Sequence, residues 1–271
     1  MINFFSSEIA EDRIYSFLRD STEQRAREAK DFTNQLWLRT ADYVDLEFLT
    51  EASKQFHPRF WEMYLIAALL EHGFPVTPRK ERKFQGKGPD IQIGCVHAWI
   101  EAIAVSGGTN SEAVPELNSE TKFATNVPRD KIKLRLTTAI QKKYEKYQKN
   151  YLKKGIVKQG EPFIIALNAA LVPHLQIIEL SVPWIVKAVF PVGHEALRFN
   201  RDSGSVLEHY HIHQNYVVKE NGIRIPTNFF QQADSKGVSA ILYSTAHAFG
   251  YKRLGHDFRA NAYLNDEGYS S

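Results

Sequence analysis

The sequence predicts a mixed α/β fold. Residues 1–56 carry apolar positions at helical spacing among many charges, the centre alternates helical and extended patterns, and residues 192–271 are β-rich. With 43% apolar and 24% charged residues, the composition is that of a globular chain and excludes disorder. The predicted organisation is a single domain over 1–271, with a helical cap at 1–56, a core at 57–191 and a β-rich extension at 192–271.

The cap rests on Ile14, Phe17, Leu18, Phe32, Leu36, Leu38, Val44, Phe48 and Leu49. A stronger helix follows at Pro58–His72, where Phe60, Tyr64, Ala67 and Ala68, together with Leu65, Leu69 and Leu70, give an apolar surface and Gly73 supplies the stop. This helix carries Glu62. Pro75–Lys80 reads as a short strand, and Phe84–Asp90, with two glycines and a proline, as a tight entry into the next one.

Asp90–Gly94 and Ala98–Val105 read as a β-hairpin joined by Cys95-Val96-His97. Alternation in the second strand places Trp99, Glu101, Ile103 and Val105 on one face, so Glu101 is a carboxylate among apolar neighbours. A polar loop from Ser106 to about Pro128 leads to a basic helix from Asp130 to about Lys154. Pro162–Ala169 and Trp184–Phe190 read as strands, followed by Val206–Lys219, an Asn221-Gly222 turn, Ile223–Ile225 and Ser239–Ser244.

Charge is unevenly spread. Between Arg129 and Lys158 there are eleven basic residues against two acidic ones, so this stretch carries +9 and the rest −6, in a chain whose total is +3. A basic helix on an otherwise acidic protein is the footprint of a polyanion binder, with Lys133, Arg135, Lys142, Lys146 and Lys149 as candidate phosphate contacts. The plainer alternative is a solvated lysine-rich face.

Metal-dependent phosphodiester cleavage needs hard oxygen ligands converging from separate elements, usually with a lysine that stabilises developing negative charge. The chain offers Glu62 on a helix, Gly88-Pro89-Asp90 at a strand entry, and Trp99-Ile100-Glu101-Ala102 in the partner strand. In this order and on these elements, the centre of the chain resembles the PD-(D/E)XK nuclease superfamily. It is also similar to a group of bacterial proteins with a GPD…WIEA pattern and a later lysine-bearing helix. The resemblance implies a restriction-endonuclease-like mixed sheet flanked by helices, with Glu62, Asp90 and Glu101 binding Mg²⁺ or Mn²⁺.

The departure is Ile103, which stands where the motif lysine should be. Lys143 falls inside the apolar stripe Ile132, Leu136, Ile140, Tyr147, Tyr151 and is the expected substitute, with Arg135 and Lys142 as further candidates. A snorkelling lysine explains the same pattern.

Three functional expectations follow: a Mg²⁺-dependent nuclease acting on DNA ahead of RNA, a catalytically silent relative that binds nucleic acid or a protein in a defence or mobile-element system, and a protein that handles neither polymer. A homodimer stays open.

His209, His211 and His213 alternate along one strand, roughly 6.6 Å apart, too widely spaced for one zinc ion to gather easily, and they read as a polar sheet face. Cys95 and Ser106 have no evident base and read as structural, and Ser106-Gly107-Gly108 is too short for a phosphate loop. The one cysteine excludes an internal disulfide. With no secretory pattern at the N-terminus and no long apolar run, the expectation is a soluble cytoplasmic protein without membrane contact.

Overall fold

The computed structural model describes residues 3–82, 88–94, 96–116, 127–175, 182–232, 235 and 237–250. In chain order the helices are α1 (Arg13–Asp20), α2 (Gln24–Thr40), α3 (Phe48–Lys54), α4 (Phe56–Glu71), α5 (Arg129–Lys146) and α6 (Trp184–Val189). The strands are β1 (Ile91–Ile93), β2 (Ala98–Ser106), β3 (Phe163–Leu171), β4 (Val192–Phe199), β5 (Val206–His213), β6 (Tyr216–Val218), β7 (Arg224–Pro226) and β8 (Ala240–Ser244). A π-helical segment, Tyr147–Leu152, continues from α5. Among the described residues no helix is long and apolar enough to cross a membrane.

The main sheet is mixed, in the order β1-β2-β3-β8. β1 and β2 are antiparallel, with Ile91 opposite Ile100, and β3 and β8 are parallel, with Ile165 opposite Ile241. Trp99 N–H donates to Pro162 O at one end of the β2–β3 pair and Gly107 N–H to Leu171 O at the other, so these strands run in the same direction. A parallel pair needs a long crossover, and α5 lies in the segment between them.

The chain forms two compact units. The first comprises Met1–Ala104, Tyr147–Asn168 and Ser239–Ser271, and the second Val105–Lys146 and Ala169–Val238.

In the first unit, α4 is buried along most of its length because it is apolar on nearly every face. The Trp61 indole N–H donates to Ala166 O of β3 at 3.0 Å, and Phe56 and Phe60 pack against rings from the N-terminal region. The N-terminal helices therefore share one hydrophobic core with α4, β1 and β2. Asp12 ties two of them together: Oδ1 caps α1 through the Ile14 and Tyr15 N–H groups, and Oδ2 accepts from Phe56 N–H at the start of α4. Gly73 ends α4 at φ +76°, the left-handed stop its position predicts.

In the second unit, α5 buries Ile132, Leu136 and Ile140, and the Tyr144 ring meets Phe229 edge-on at 5.6 Å. β4 and β5 form a two-stranded ribbon with Leu197, Phe199, Leu207 and Ile212 exposed, and β6 and β7 form a second, smaller pair.

Several expected elements differ. Trp184–Phe190 is a helix, not a strand: a short apolar run has no period long enough to distinguish the two, and the Pro183 carbonyl accepts from Lys187 N–H to close the first turn. Pro75–Lys80 contributes only a bridge between Val76 and Ile93 before a 3₁₀ turn at Arg79–Glu81, since two prolines remove ladder donors. Val206–Lys219 is two strands interrupted at Gln214-Asn215. Cys95, most of Phe84–Asp90 and the later part of the Ser106–Pro128 loop lie outside the described residues.

Candidate active site

All three sequence-selected acids belong to the first unit, each on a different element. Glu62 sits on α4 with its side chain only 7% exposed, and its Oε2 accepts from Arg59 Nη1 at 2.9 Å, one helical turn earlier. Burial raises its pKa to about 8, and the neighbouring Asp90 charge adds to that rise while Arg59 opposes it.

Asp90 stands immediately before β1. Its Oδ2 accepts from Ala102 N–H at 2.7 Å, which pins the carboxylate to β2. Continuing the Ile91–Ile100 register by one residue sets Asp90 opposite Glu101, on the same face of the sheet. The backbone of Asp90 is held by buried Arg82, whose guanidinium donates to Asp90 O (2.6 Å), Thr77 O (3.1 Å) and Tyr43 O (3.0 Å). Burial pulls the Arg82 pKa down to about 10, Arg79 adds to the fall, and the Glu62, Asp45 and Asp90 charges oppose it.

Glu101 is completely buried, in a stretch of β2 that is buried on both faces, and its Oε2 accepts from the Tyr151 hydroxyl at 2.8 Å. Tyr151 comes from the π-helical segment, and its ring packs against Phe163 of β3. Such segments recur at functional sites. Burial, then the charge and hydrogen bond of Glu101 and the charge of Asp90, raise the phenol pKa well above its usual value, so Tyr151 remains a donor at any ordinary pH.

The three acids thus share one electrostatic neighbourhood. Asp90 acts on Glu62, and Asp90 and Glu101 both act on Tyr151. Their donor chemistry fits a hard divalent cation: three carboxylates from three elements, mutually repelling in a low dielectric, a cost that a +2 ion relieves. As the side chains stand, no group of three His, Cys, Asp or Glu among the described residues is gathered so as to hold a metal ion. Arg59 engages Glu62, the Ala102 amide engages Asp90 and Tyr151 engages Glu101.

The basic candidates separate. Lys143 is half-buried on α5 and belongs to the second unit, whereas the acids belong to the first. Lys133 does not face solvent: it is 1% exposed, with its ammonium bonded to Gln214 Oε1. Arg135 Nε donates to Ser106 O at 2.9 Å, and its guanidinium lies against Gly108, whose φ of +89° and close contact favour the missing side chain. Lys142 and Lys149 are exposed and Lys146 is half-buried. Ile103 is half-buried on β2.

His209 and His211 lie on β5 with ring centroids 6.4 Å apart, His209 facing Glu195 at 3.5 Å and His211 facing the Gly193 carbonyl. His213 is exposed at the end of the strand.

Sequence reasoning missed Arg59, Arg79, Arg82 and Tyr151. Arg59 was detectable, since a basic residue three positions before a helical glutamate is a standard ion pair. In comparisons with known proteins, no family model, no curated protein and no solved structure matches this chain.

Proposed function

We propose that the protein is a Mg²⁺-dependent nuclease that hydrolyses phosphodiester bonds, of DNA ahead of RNA, on a restriction-endonuclease-like core. The observation that supports this is that Asp90 acts electrostatically on Glu62 while Asp90 and Glu101 both act on Tyr151, the three acids coming from a central helix, a strand entry and the middle of a strand. The order of these elements, with α5 between the parallel β2 and β3, is the order expected of a PD-(D/E)XK core. A carboxylate whose pKa is raised by burial and by a neighbouring like charge, as that of Glu62 is, is also what active sites build.

Glu62, Asp90 and Glu101 would hold the cation, Mg²⁺ or Mn²⁺, which supplies Lewis-acid polarisation of the phosphate and an ionised water when bound. The Ala102 amide fixes the rotamer of Asp90, and Tyr151 fixes that of Glu101 without giving up its proton. Water attacks phosphorus in line and gives up a proton to solvent, the bond to the leaving oxygen breaks, and that oxygen takes a proton from solvent. The exposed lysines Lys149, Lys153, Lys154 and Lys158 of the first unit would contact the phosphate backbone without reading bases.

A second reading draws on Ile103 and on the arginines: Arg59, Arg79 and Arg82 surround the acids and neutralise them internally, as in a silent relative that binds nucleic acid or a protein. Plasmid and single-stranded DNA incubated with Mg²⁺ or Mn²⁺ separate the two. Cleavage by wild type that is lost in Asp90→Ala supports the nuclease, and metal-independent binding that survives Asp90→Ala, with no cleavage, supports the silent protein.

A further inference from the structure

A cleft of about 690 Å³ opens in the first unit, between the 3₁₀ turn at Ala41–Tyr43, the start of α3, and Arg59 of α4. Val44 and Phe48 form its apolar floor, and Arg59, Arg79 and Lys80 bring positive charge to it. Its volume is that of a small-ligand site, large enough for one or two nucleotides and too small for a duplex.

Arg59 belongs both to this cleft and to the acid cluster. Its guanidinium lies over the Phe48 ring at 5.5 Å, its Nη1 is bonded to Glu62, and its Nε is a buried donor with no hydrogen-bond acceptor among the described residues. A buried donor without a partner is costly, so the fold leaves room at this point for an acceptor from outside the chain. Four acids line it as well, Asp42, Asp45, Glu47 and Glu51: Asp45 is paired with Arg79 and Glu51 with Lys54 at 3.2 Å, while Asp42 and Glu47 are exposed to solvent, where screening weakens their repulsion of an anion. A guanidinium fork fits a phosphate through two parallel hydrogen bonds.

We infer that this cleft receives a single-stranded, phosphate-bearing segment of the substrate, and that Arg59 exchanges Glu62 for the phosphate when Glu62 turns to a divalent cation. Arg59 then supplies, from α4, the positive charge that Ile103 leaves out of β2. The assignment rests on the nuclease reading and adds its substrate form and a catalytic cation. It also makes Arg59 a competitor of the metal for Glu62, so its removal has opposite effects on two ligands.

The test uses the full chain as wild type, Arg59→Gln and Arg59→Lys, with melting temperatures recorded to confirm folding. Mn²⁺ alone is titrated calorimetrically, and a six-nucleotide oligothymidylate and a short duplex are titrated in Ca²⁺ to prevent turnover. Arg59→Gln is expected to bind Mn²⁺ several-fold tighter and the oligothymidylate about 10- to 100-fold more weakly, with Arg59→Lys recovering part of the latter. Unchanged oligothymidylate affinity with normal Mn²⁺ binding overturns the role of Arg59 and leaves the metal site standing. A wild type that prefers the duplex overturns the single-strand assignment. No Mn²⁺ binding by wild type overturns the nuclease and this inference with it.

Discussion

Two sets of three titratable side chains stand out in this molecule, and they are built in opposite ways. His209, His211 and His213 line up along β5, on a ribbon that is exposed along its length. Glu62, Asp90 and Glu101 lie far apart in sequence, yet their charges act on common neighbours, and Glu62 and Glu101 are buried. The histidines are the more conspicuous in sequence, but strand geometry keeps their rings more than 6 Å apart and leaves each to solvent or to a local partner. Convergence from separate elements, rather than proximity in sequence, lets charges perturb one another.

The largest effect that tests this contrast is on cation binding. Asp90→Ala or Glu101→Gln should lower Mn²⁺ affinity by at least about 100-fold, the upper end of what losing a supporting group costs, as read by calorimetric titration. Retention of wild-type affinity would put the acids on the same footing as the histidines.

A pH dependence of stability comes next. The native pKa of Glu62, about 8, lies above the unfolded value of about 4.3, so the folded state binds the extra proton between them. Stability should therefore fall as pH rises from about 4.5 through 8, by an amount of order 3 to 5 kcal/mol from this group alone. Glu62→Gln should flatten that fall, which urea midpoints at pH 6 and pH 9 would show.

Tyr151→Phe should keep the ring packing on Phe163 but leave buried Glu101 without its donor, at a cost of about 1–3 kcal/mol in denaturant unfolding. The smallest effect belongs to the ribbon: replacing His209 and His211 together by Ala should change stability by no more than about 0.5 kcal/mol and leave Mn²⁺ binding unaltered.

The parts of this site that were legible in sequence are those set by local pattern. Period-2 alternation sets Glu101 on the face of Trp99 and Val105, Gly73 ends α4 and so bounds the helix that presents Glu62, and Pro89 precedes the aspartate at a strand entry. What escaped depends on partners distant in the chain. Arg82 makes sense only once Tyr43, Thr77 and Asp90 are adjacent, and Tyr151 reads as one more member of an apolar helical stripe until Glu101 is opposite it. Lys133 shows the converse failure: counting charges along α5 cannot say which lysine has its ammonium folded inward onto Gln214. Trp184–Val189 failed for want of length, since six residues, five of them apolar, fit either period.

Arg82 has a further consequence for how the site comes into being. Its carbonyl acceptors lie in the turn after α2, in the edge segment before β1, and at Pro89 and Asp90, so the position of the aspartate depends on the docked N-terminal region. A chain shortened at its N-terminus before Tyr43 would retain all three acids of the cluster and still lack the scaffold that aims one of them, and Arg82→Lys, with a single ammonium in place of a fork, could not bridge all of these backbone segments.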